Sequence, residues 1–161
     1  MGVQIREYSH LDEEHVLDLS LRAWAPVFAS MRHVQGEELF LRLHGDWREY
    51  QRKAVQQVLS ESAMQVWVAE TDGRVAGFVA ATVSEPDRLI GEVSMLAVDP
   101  DAQGSGIGAR LTEHATAWLR DAGMQVAMID TGGDPGHAPA RHVYEKADYT
   151  LMPVARYFKA L

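Results

Sequence analysis

Residues 98–111 read Val-Asp-Pro-Asp-Ala-Gln-Gly-Ser-Gly-Ile-Gly-Ala-Arg-Leu, and this glycine-rich stretch is the most informative part of the sequence. The apolar run at 93–98 predicts a strand that stops at the Asp-Pro break. Glycines without a Cβ atom let a bulky anion approach the backbone, and the amides at a helix start favour negative charge. The stretch therefore predicts a strand, a phosphate-binding loop and a helix. Apolar residues recur at helical spacing after the glycines, at Ile107, Leu111, Ala115, Trp118, Leu119 and Ala122.

Two common phosphate-binding loops match this stretch poorly. A nucleoside triphosphatase loop ends in Gly-Lys-Ser/Thr, whereas residues 108–110 are Gly-Ala-Arg. The dinucleotide fingerprint matches Gly104-x-Gly106-x-x-Ala109, with Asp130 as a ribose-binding acid. However, the first glycine of that fingerprint follows its strand almost directly, and only about fifty residues remain here for further strand–helix units. A dinucleotide-binding module is therefore the weaker alternative.

A third pattern, Gln/Arg-x-x-Gly-x-Gly/Ala, is matched by Gln103-x-x-Gly106-x-Gly108. With the preceding strand end Leu-Ala-Val-Asp-Pro at 96–100, it resembles the acyl-CoA loop of the GNAT superfamily of N-acetyltransferases. Residues 140–149, Ala-Arg-His-Val-Tyr-Glu-Lys-Ala-Asp-Tyr, are similar to the family's Ala-x-x-x-Tyr-Glu-Lys-x-Gly-Phe segment. The two segments lie in the family's order. The resemblance covers roughly residues 65–158, and the first sixty residues only in general layout.

The resemblance implies a single acetyltransferase domain over residues 1–161, with central strands at 88–98 and 125–130 that splay apart. It implies that acetyl-CoA is the co-substrate, with its pantetheine arm paired to the first of these strands and its pyrophosphate on the glycine loop. No metal is implied. The residues that would bind the cofactor are Leu96, Ala97, Val98, Gln103, Gly104, Ser105, Gly106, Ile107, Gly108, Ala109 and His137.

The resemblance also implies two catalytic residues. Tyr144 matches the family tyrosine whose hydroxyl approaches the thioester sulfur, and a phenol can donate a proton without being charged at neutral pH. Glu92 lies near the middle of the cofactor-pairing strand, where family members often have a glutamate, and would take the amine proton directly or through one water. His137 and His142 are alternative bases, because imidazole titrates nearest neutrality.

Two positions depart from the family pattern. His137 replaces the asparagine that the family commonly has seven residues before the tyrosine, although imidazole can still hydrogen-bond towards the cofactor. Asp148 stands where a glycine precedes the closing aromatic, which predicts a different turn. The match at Tyr144 is unaffected by either change.

Composition limits the function classes. The 161 residues contain no cysteine, which excludes disulfides, thiol nucleophiles and cysteine-ligated metals. The net charge of −8 disfavours nucleic acid as a partner, because no basic run offsets phosphate repulsion, and it suits a cationic amine. The sequence contains neither a signal-peptide core nor a membrane-spanning apolar run, which predicts a cytoplasmic protein without a membrane partner.

The element order β-α-α-β-β-β-α-β-α-β predicts one α/β domain around a mixed, mostly antiparallel sheet flanked by helices. The first helix should run from Asp12 to about Trp24 and end at Pro26, and a second helical region at 36–60 should kink at Gly45. Further predictions are a hairpin at Thr71-Asp72-Gly73, a strand at 125–130 buried on both faces, and a closing strand at 149–158.

Three functions remain open on the sequence alone. The first is transfer of an acetyl group from acetyl-CoA to a primary amine of a small molecule or peptide, by direct attack in a ternary complex. A non-catalytic acyl-CoA sensor and the dinucleotide module are the others. By resemblance, Trp24, Phe28, Trp47 and Tyr50 lie in the region that overhangs the acceptor pocket, although aromatic residues at helical spacing more often belong to the core. The acceptor and the oligomeric state stay open, a homodimer included.

Overall fold

In the computed structural model, which describes residues 2–161, one five-stranded sheet has the order β1-β2-β3-β4-β5. The first four strands pair antiparallel, and β5 runs parallel to β4. The predicted mixed, mostly antiparallel sheet is therefore confirmed. The strands are β1 Gln4–Glu7, β2 Gln65–Thr71, β3 Arg74–Glu85, β4 Ile90–Val98 and β5 Val126–Ile129.

Helices cover both faces of the sheet. Alternate residues of a strand point to opposite faces, so Phe78 and Ala80 pack towards α1 and α3 while Val79 and Ala81 pack towards α4. The two apolar clusters meet only through the sheet, which is the usual layered solution for burying both of its faces. The helices are α1 Glu13–Gln35, α2 Glu37–His44, α3 Trp47–Ser60, α4 Ile107–Asp121 and α5 Ala138–Lys146.

Two strand glycines let α4 lie close against the sheet. A Cβ atom at Gly77 would stand 2.9 Å from the Ala97 carbonyl oxygen, and one at Gly91 would stand 2.3 Å from the Leu119 side chain. Interiors are packed too densely to absorb such overlaps without displacing backbone or helix. The position of α4, and with it the start of that helix beside β4, therefore depends on these two residues having no side chain.

The prediction that Pro26 ends the first helix was wrong. Helix α1 continues through Pro26 to Gln35, and Phe28, two residues further on, is only 3% exposed. Proline removes one N–H donor and strains one turn. Here the burial of the following turn against the neighbouring helices outweighs that local penalty. The sequence pattern shows the proline but not the burial that offsets it.

Local turn signals were confirmed. Helix α2 ends at His44 with Gly45 as its C-cap, and the Asp46 side chain accepts a hydrogen bond from the Arg48 amide to begin α3. Residues Asp72 and Gly73 both take positive φ between β2 and β3, as a tight hairpin requires.

Two predictions about the last strands were wrong. Residues 149–158 form no strand. Strand β5 is an edge strand without a buried residue, although its apolar sequence predicted burial on both faces. The physical reason is the same for both errors: nothing within residues 2–161 pairs with the outer edge of β5, so its side chains stay partly in solvent.

The helical layer contains an aromatic cluster around His44. Phe28 stacks on Trp47 at 4.8 Å between ring centroids, and the His44 ring meets Phe28 and Tyr50 edge-on. Both ring nitrogens of His44 are buried without a hydrogen-bond partner among residues 2–161. Burial lowers the pKa of His44, because the imidazolium would lose its hydration without gaining a partner.

We expect this histidine to make stability depend on pH. Below about pH 6.5 the unfolded chain takes up a proton that folded His44 resists, so the free energy of unfolding falls as pH decreases from there towards the lower folded pKa. In H44Q this contribution to the slope of unfolding free energy against pH should disappear. Urea unfolding between pH 5 and pH 8 measures that slope. The exposed H33Q is the matched control and should keep the slope. An unchanged slope in H44Q would refute the assignment.

Candidate active site

Strands β4 and β5 part at a bulge. Ala80 pairs with Met95 and Ala81 with Val93, so Ser94 is an extra residue in β4. Pairing between β4 and β5 ends at Val93 and Ile129, one residue before the bulge. A bulge bends its strand and increases the local twist, which accounts for the separation. We call the space beside residues 94–98, beyond the end of β5, the strand gap.

Polar groups that lack partners lie along the strand gap. The edge of residues 94–98 on the β5 side faces no strand anywhere in residues 2–161. The Ser94 hydroxyl is buried and forms no hydrogen bond within the same residues. Buried polar groups are almost always paired in native proteins. The gap is therefore suited to a ligand that brings its own donors and acceptors, such as an amide-containing chain.

The glycine loop, residues 103–106, follows directly after β4 and a short turn at Pro100–Ala102. Gly104 and Gly106 take φ of +81° and +82°, and a Cβ atom at either would meet nothing within 4 Å. The first turn of α4 has no side-chain cap, while Ile107 is buried and anchors the helix. The loop therefore presents open backbone and unsatisfied helix-start amides to the surface, which is the arrangement that binds phosphate groups.

Arg22 of α1 fixes the start of this loop. Its Nη1 and Nη2 donate to the two Asp99 carboxylate oxygens at 2.8 and 2.7 Å, and Asp99 also accepts from the Asp101 amide at 2.9 Å. The Arg22 fork holds the pKa of the Asp99 carboxyl below its usual range. A two-point fork restricts orientation as well as distance, so the carboxylate at the end of β4 has one defined position.

The polar side chains of the glycine loop turn towards the loop itself. The Gln103 side-chain amide donates to the Val98 carbonyl oxygen at 3.3 Å, and the Ser105 hydroxyl donates to the Ala102 carbonyl. Both side chains are exposed. The loop backbone, rather than these side chains, is thus the part left free for an anion.

A second loop, residues 130–137, is held against α1 and around His137. The Ser30 hydroxyl donates to Asp134 Oδ2 at 2.6 Å and accepts from the Gly136 amide at 2.9 Å. Asp134 Oδ1 contacts His137 Nδ1. Arg141 adds bonds from Nη1 to the carbonyl oxygens of Gly132, at 2.6 Å, and of Asp134, at 2.8 Å. We call residues 130–137 the histidine loop.

Asp134 orients His137. Burial opposes ionisation of Asp134, but hydrogen bonds from Ser30 and His137 outweigh it and hold the pKa of the Asp134 carboxyl below its ordinary value. A carboxylate at Nδ1 fixes the tautomer that keeps the proton there and leaves Nε2 as an acceptor. Gly132 has no room for a side chain, because a Cβ atom would stand 2.4 Å from His137 Nδ1.

Tyr144 lies on α5 near the first turn of α4. Its neighbour Val143 approaches Gly108 together with Val98: a Cβ atom built at Gly108 would lie within 3.7–3.9 Å of both valine side chains. The two sequence motifs therefore meet at the end of β4. The Tyr144 hydroxyl forms no hydrogen bond within residues 2–161, and burial, with a smaller contribution from nearby Tyr149, raises the pKa of Tyr144 to about 12. The phenol keeps its proton at neutral pH.

Glu92 lies on β4 two residues before the bulge. It pairs across the sheet with Thr82 and Met128, and its neighbour Val93 packs towards α4. Because side chains alternate, Glu92 faces the α1 side. It is partly buried and forms no ion pair or hydrogen bond with residues 2–161. The carboxylate is thus free of any structural partner.

The other residues singled out from the sequence lie outside the two loops and the strand gap. His142 lies exposed on α5, away from the Asp134 contact that orients His137. Phe28, Trp47 and Tyr50 belong to the aromatic cluster around His44, and Trp24 packs with the sheet-facing residues of α1. Asp148 takes φ of +63°, which lies in the left-handed region that favours glycine, so the backbone at this position would also accept the glycine of the family pattern.

Sequence reasoning missed Ser94, Arg22 and Ser30. A bulge carries no composition signal when it falls in an alternating strand. Arg22 and Asp99 lie 77 residues apart, and Ser30 and Asp134 lie 104 apart. A single sequence shows no pairing at such separations.

These features fit an acyl-CoA co-substrate. The orphaned Ser94 hydroxyl and the unpaired edge of 94–98 suit an amide-containing arm, and the open glycine loop suits a pyrophosphate. Within residues 2–161 no group of three or more His, Asp or Glu side chains could hold a metal ion, and none of the helices there has the length and hydrophobicity to cross a membrane.

Similar solved structures show the same fold. An aminoglycoside N-acetyltransferase, AAC(6')-Iy, in complex with a bisubstrate analogue superposes with a TM-score of 0.68 at 16% identity, covering 100% of this chain and 99% of that chain. The PaiA N-acetyltransferase of Thermoplasma acidophilum, in complex with coenzyme A, gives 0.63 at 17% identity, covering 91% and 89%.

Curated relatives and a family model extend the comparison to sequence. The mycothiol acetyltransferase of Saccharomonospora viridis is 33% identical over 166 residues, covering 94% of this chain and 47% of the relative. The chain thus spans about half the length of the relatives it matches. The model of the acetyltransferase (GNAT) family matches residues 28–149, which include the strand gap, both loops and Tyr144. The chain belongs to the GNAT acetyltransferase family.

Proposed function

We propose that this domain transfers an acetyl group from acetyl-CoA to a primary amine of a small molecule or peptide, by direct attack in a ternary complex. The observation that carries the proposal is the convergence of the strand gap, the glycine loop and α5 at the end of β4. The net charge of −8 supports a cationic amine acceptor and not a nucleic acid. An unpartnered Glu92 beside the gap supports turnover over a non-catalytic sensor.

In this proposal the binding groups are mostly backbone. The edge of 94–98, at Leu96, Ala97 and Val98, holds the pantetheine arm, and His137 on its loop faces the same ligand. The residues that hold the pyrophosphate are Gln103, Gly104, Ser105, Gly106, Ile107, Gly108 and Ala109. Acetyl-CoA supplies the acetyl group as an activated thioester.

Two side chains transfer protons in the proposed reaction. Glu92 accepts the proton of the acceptor amine, directly or through one water, so that nitrogen attacks with a free lone pair. Tyr144 holds a proton at its phenolic oxygen for the leaving sulfur, and its raised pKa keeps that proton in place until it is needed. His137, oriented by Asp134, is the alternative base.

The glycine loop can be tested by G106V. A branched side chain there would fill the space open to pyrophosphate, and we expect the Kd for CoA to rise at least about tenfold, a loss of about 1.4 kcal/mol, measured by calorimetry. G36V is the matched control: Gly36 also has φ of +80° and open surroundings, but it lies between α1 and α2. Tight NAD binding without a CoA signal would instead favour a dinucleotide module.

The role of Tyr144 can be tested by Y144F. Loss of the proton donor should lower kcat by about 10²–10⁴-fold while the Kd for CoA stays nearly unchanged. Steady-state kinetics at saturating substrates give the result. Y149F is the control, since it removes a hydroxyl that bonds Thr116 at 2.6 Å and not the proposed acid. Unchanged turnover in Y144F, with chemistry rate-limiting, would remove Tyr144 from this role.

The role of Glu92 can be tested by the pH dependence of E92Q. If Glu92 is the base, kcat/KM should fall most where the acceptor amine is mainly protonated, and rising pH should partly restore it as free amine becomes available. The exposed E113Q should follow the wild type throughout. A raised KM with unchanged kcat and no restoration would identify a binding role instead. Wild-type kinetics of E92Q across the pH series would instead favour His137 or bulk water as the base.

A further inference from the structure

A cavity of about 360 Å³ lies beside β1, at the edge of the sheet opposite to β5. It is on the face of the sheet that α1 and α3 cover, because its Tyr8 and Leu59 pack on the apolar cluster of that face. Tyr8, His10 and Glu13 line one part of it, and residues of α3 between Gln56 and Ser60 line the rest. Small-molecule sites commonly have volumes of about 300–1,000 Å³. We call this space the β1 cavity.

The β1 cavity is separate from the candidate active site. Strand β1 is three strand spacings from β4, which is about 14 Å across the sheet. Helix α1 begins at the cavity with Glu13, and Arg22, which holds the glycine loop, lies about 14 Å further along the helix axis. A small molecule in the cavity therefore does not reach the strand gap or the glycine loop.

Glu13 gives the cavity a negative charge without a compensating cation. Its carboxylate is partly buried, accepts a long hydrogen bond of 3.5 Å from the Gln56 side chain, and forms no ion pair within residues 2–161. None of the residues that line the cavity is lysine or arginine. Burial, together with the carboxylates of Glu13 and Asp12, raises the pKa of Tyr8. The same negative field that opposes a phenolate there favours a cation.

The end of α3 adds negative potential from the backbone. A helix C-terminus carries a partial negative charge, and a basic side chain in the last turn commonly offsets it. The last turn of α3 has no basic residue, and its C-cap residue is the acidic Glu61. The carbonyl oxygens of Val58, Leu59 and Ser60 accept no hydrogen bond from residues 2–161. The cavity thus has two independent sources of negative potential, one a side chain and one a helix terminus.

We propose that the β1 cavity binds an organic cation, with an ammonium group on a short aliphatic body, at a second site outside the one proposed for the acetyl acceptor. The ammonium group lies between the Glu13 carboxylate and the end of α3, where it gains charge-assisted hydrogen bonds. The aliphatic body lies against Tyr8 and Leu59, which supply apolar surface. An anion is disfavoured because no lysine or arginine lines the cavity. The proposal does not rest on the acetyl transfer proposed above.

Backbone amide shifts in NMR spectra of the whole chain can test the proposal, with butylammonium as the probe. We expect saturable shifts at residues 8–13 and 56–61, because the probe combines a positive charge with a short aliphatic body. Butylammonium is also a primary amine, so shifts at residues 92–98 report the proposed acceptor site and are fitted separately. 1-Butanol has nearly the same body without the charge, and at equal concentration it should give no saturable shift at the β1 cavity.

E13Q tests the side-chain charge. It removes the carboxylate and should raise the Kd of butylammonium at the cavity about tenfold or more, because a hydrogen bond to a charged group is lost. E14Q is the matched control. It removes an exposed carboxylate one residue further along α1, which bonds Arg52 and does not line the cavity, so its Kd should equal that of the wild type.

Q57K tests the contribution of the helix terminus. It places an ammonium group at the cavity wall and offsets the negative end of α3, so butylammonium should no longer bind there. Q57M has a side chain of similar length without a charge and should bind the probe nearly as the wild type does. Gln57 is exposed, so neither change disturbs the core.

Three results would overturn the proposal. The first is the absence of saturable butylammonium shifts at residues 8–13 and 56–61. The second is an equal response to 1-butanol, which would identify an apolar cavity without selectivity for charge. The third is a Kd for E13Q or for Q57K that equals the wild-type value. None of these measurements requires turnover, so failure of cation binding is distinguished from failure of the proposed acetyl transfer.

Discussion

The parting of β4 from β5 at the Ser94 bulge is the constraint on which the rest of the structure depends. Strand β4 stays paired with β3 along nearly its whole length, while β5 follows it only to Val93. Beyond that point the backbone groups of β4 on the β5 side have no strand partner, although buried backbone is normally paired. The glycine loop leaves from this half of β4, and α4 returns beside it. The strand gap and the glycine loop are thus both arranged around the point where the pairing of β4 with β5 ends.

The parts of the fold predicted correctly from sequence are those set by a residue's own backbone. Glycines at 104 and 106, the Asp72–Gly73 turn and the Asp46 cap act through local dihedral angles or a hydrogen bond two residues away. Such preferences are the same in a peptide and in a folded domain. The family motifs belong to this class, since they mark the glycine loop and α5. The chemical roles of Tyr144 and Glu92 remain predictions.

The parts that sequence missed are set by distant residues. Pro26 looked like a helix end because its penalty is local, while the packing of Phe28 that offsets it comes from other helices. The same holds for residues 126–129 and 149–158, whose apolar patterns predicted a strand buried on both faces and a closing strand, whereas the pairing that both require depends on distant residues and is not found within residues 2–161. An apolar pattern predicts burial. Only the fold shows whether the chain itself provides it.

Helix α1 sets the distance between the two loops of the candidate site. Arg22 holds the start of the glycine loop, and Ser30 holds the histidine loop. Eight residues of helix separate these anchors by about 12 Å along the axis. The spacing is therefore set by a rigid element, and one residue inserted or removed between the anchors would change it by about 1.5 Å and rotate one loop by about 100°. Pro26 lies midway, and its missing N–H leaves the Arg22 carbonyl without its helical donor.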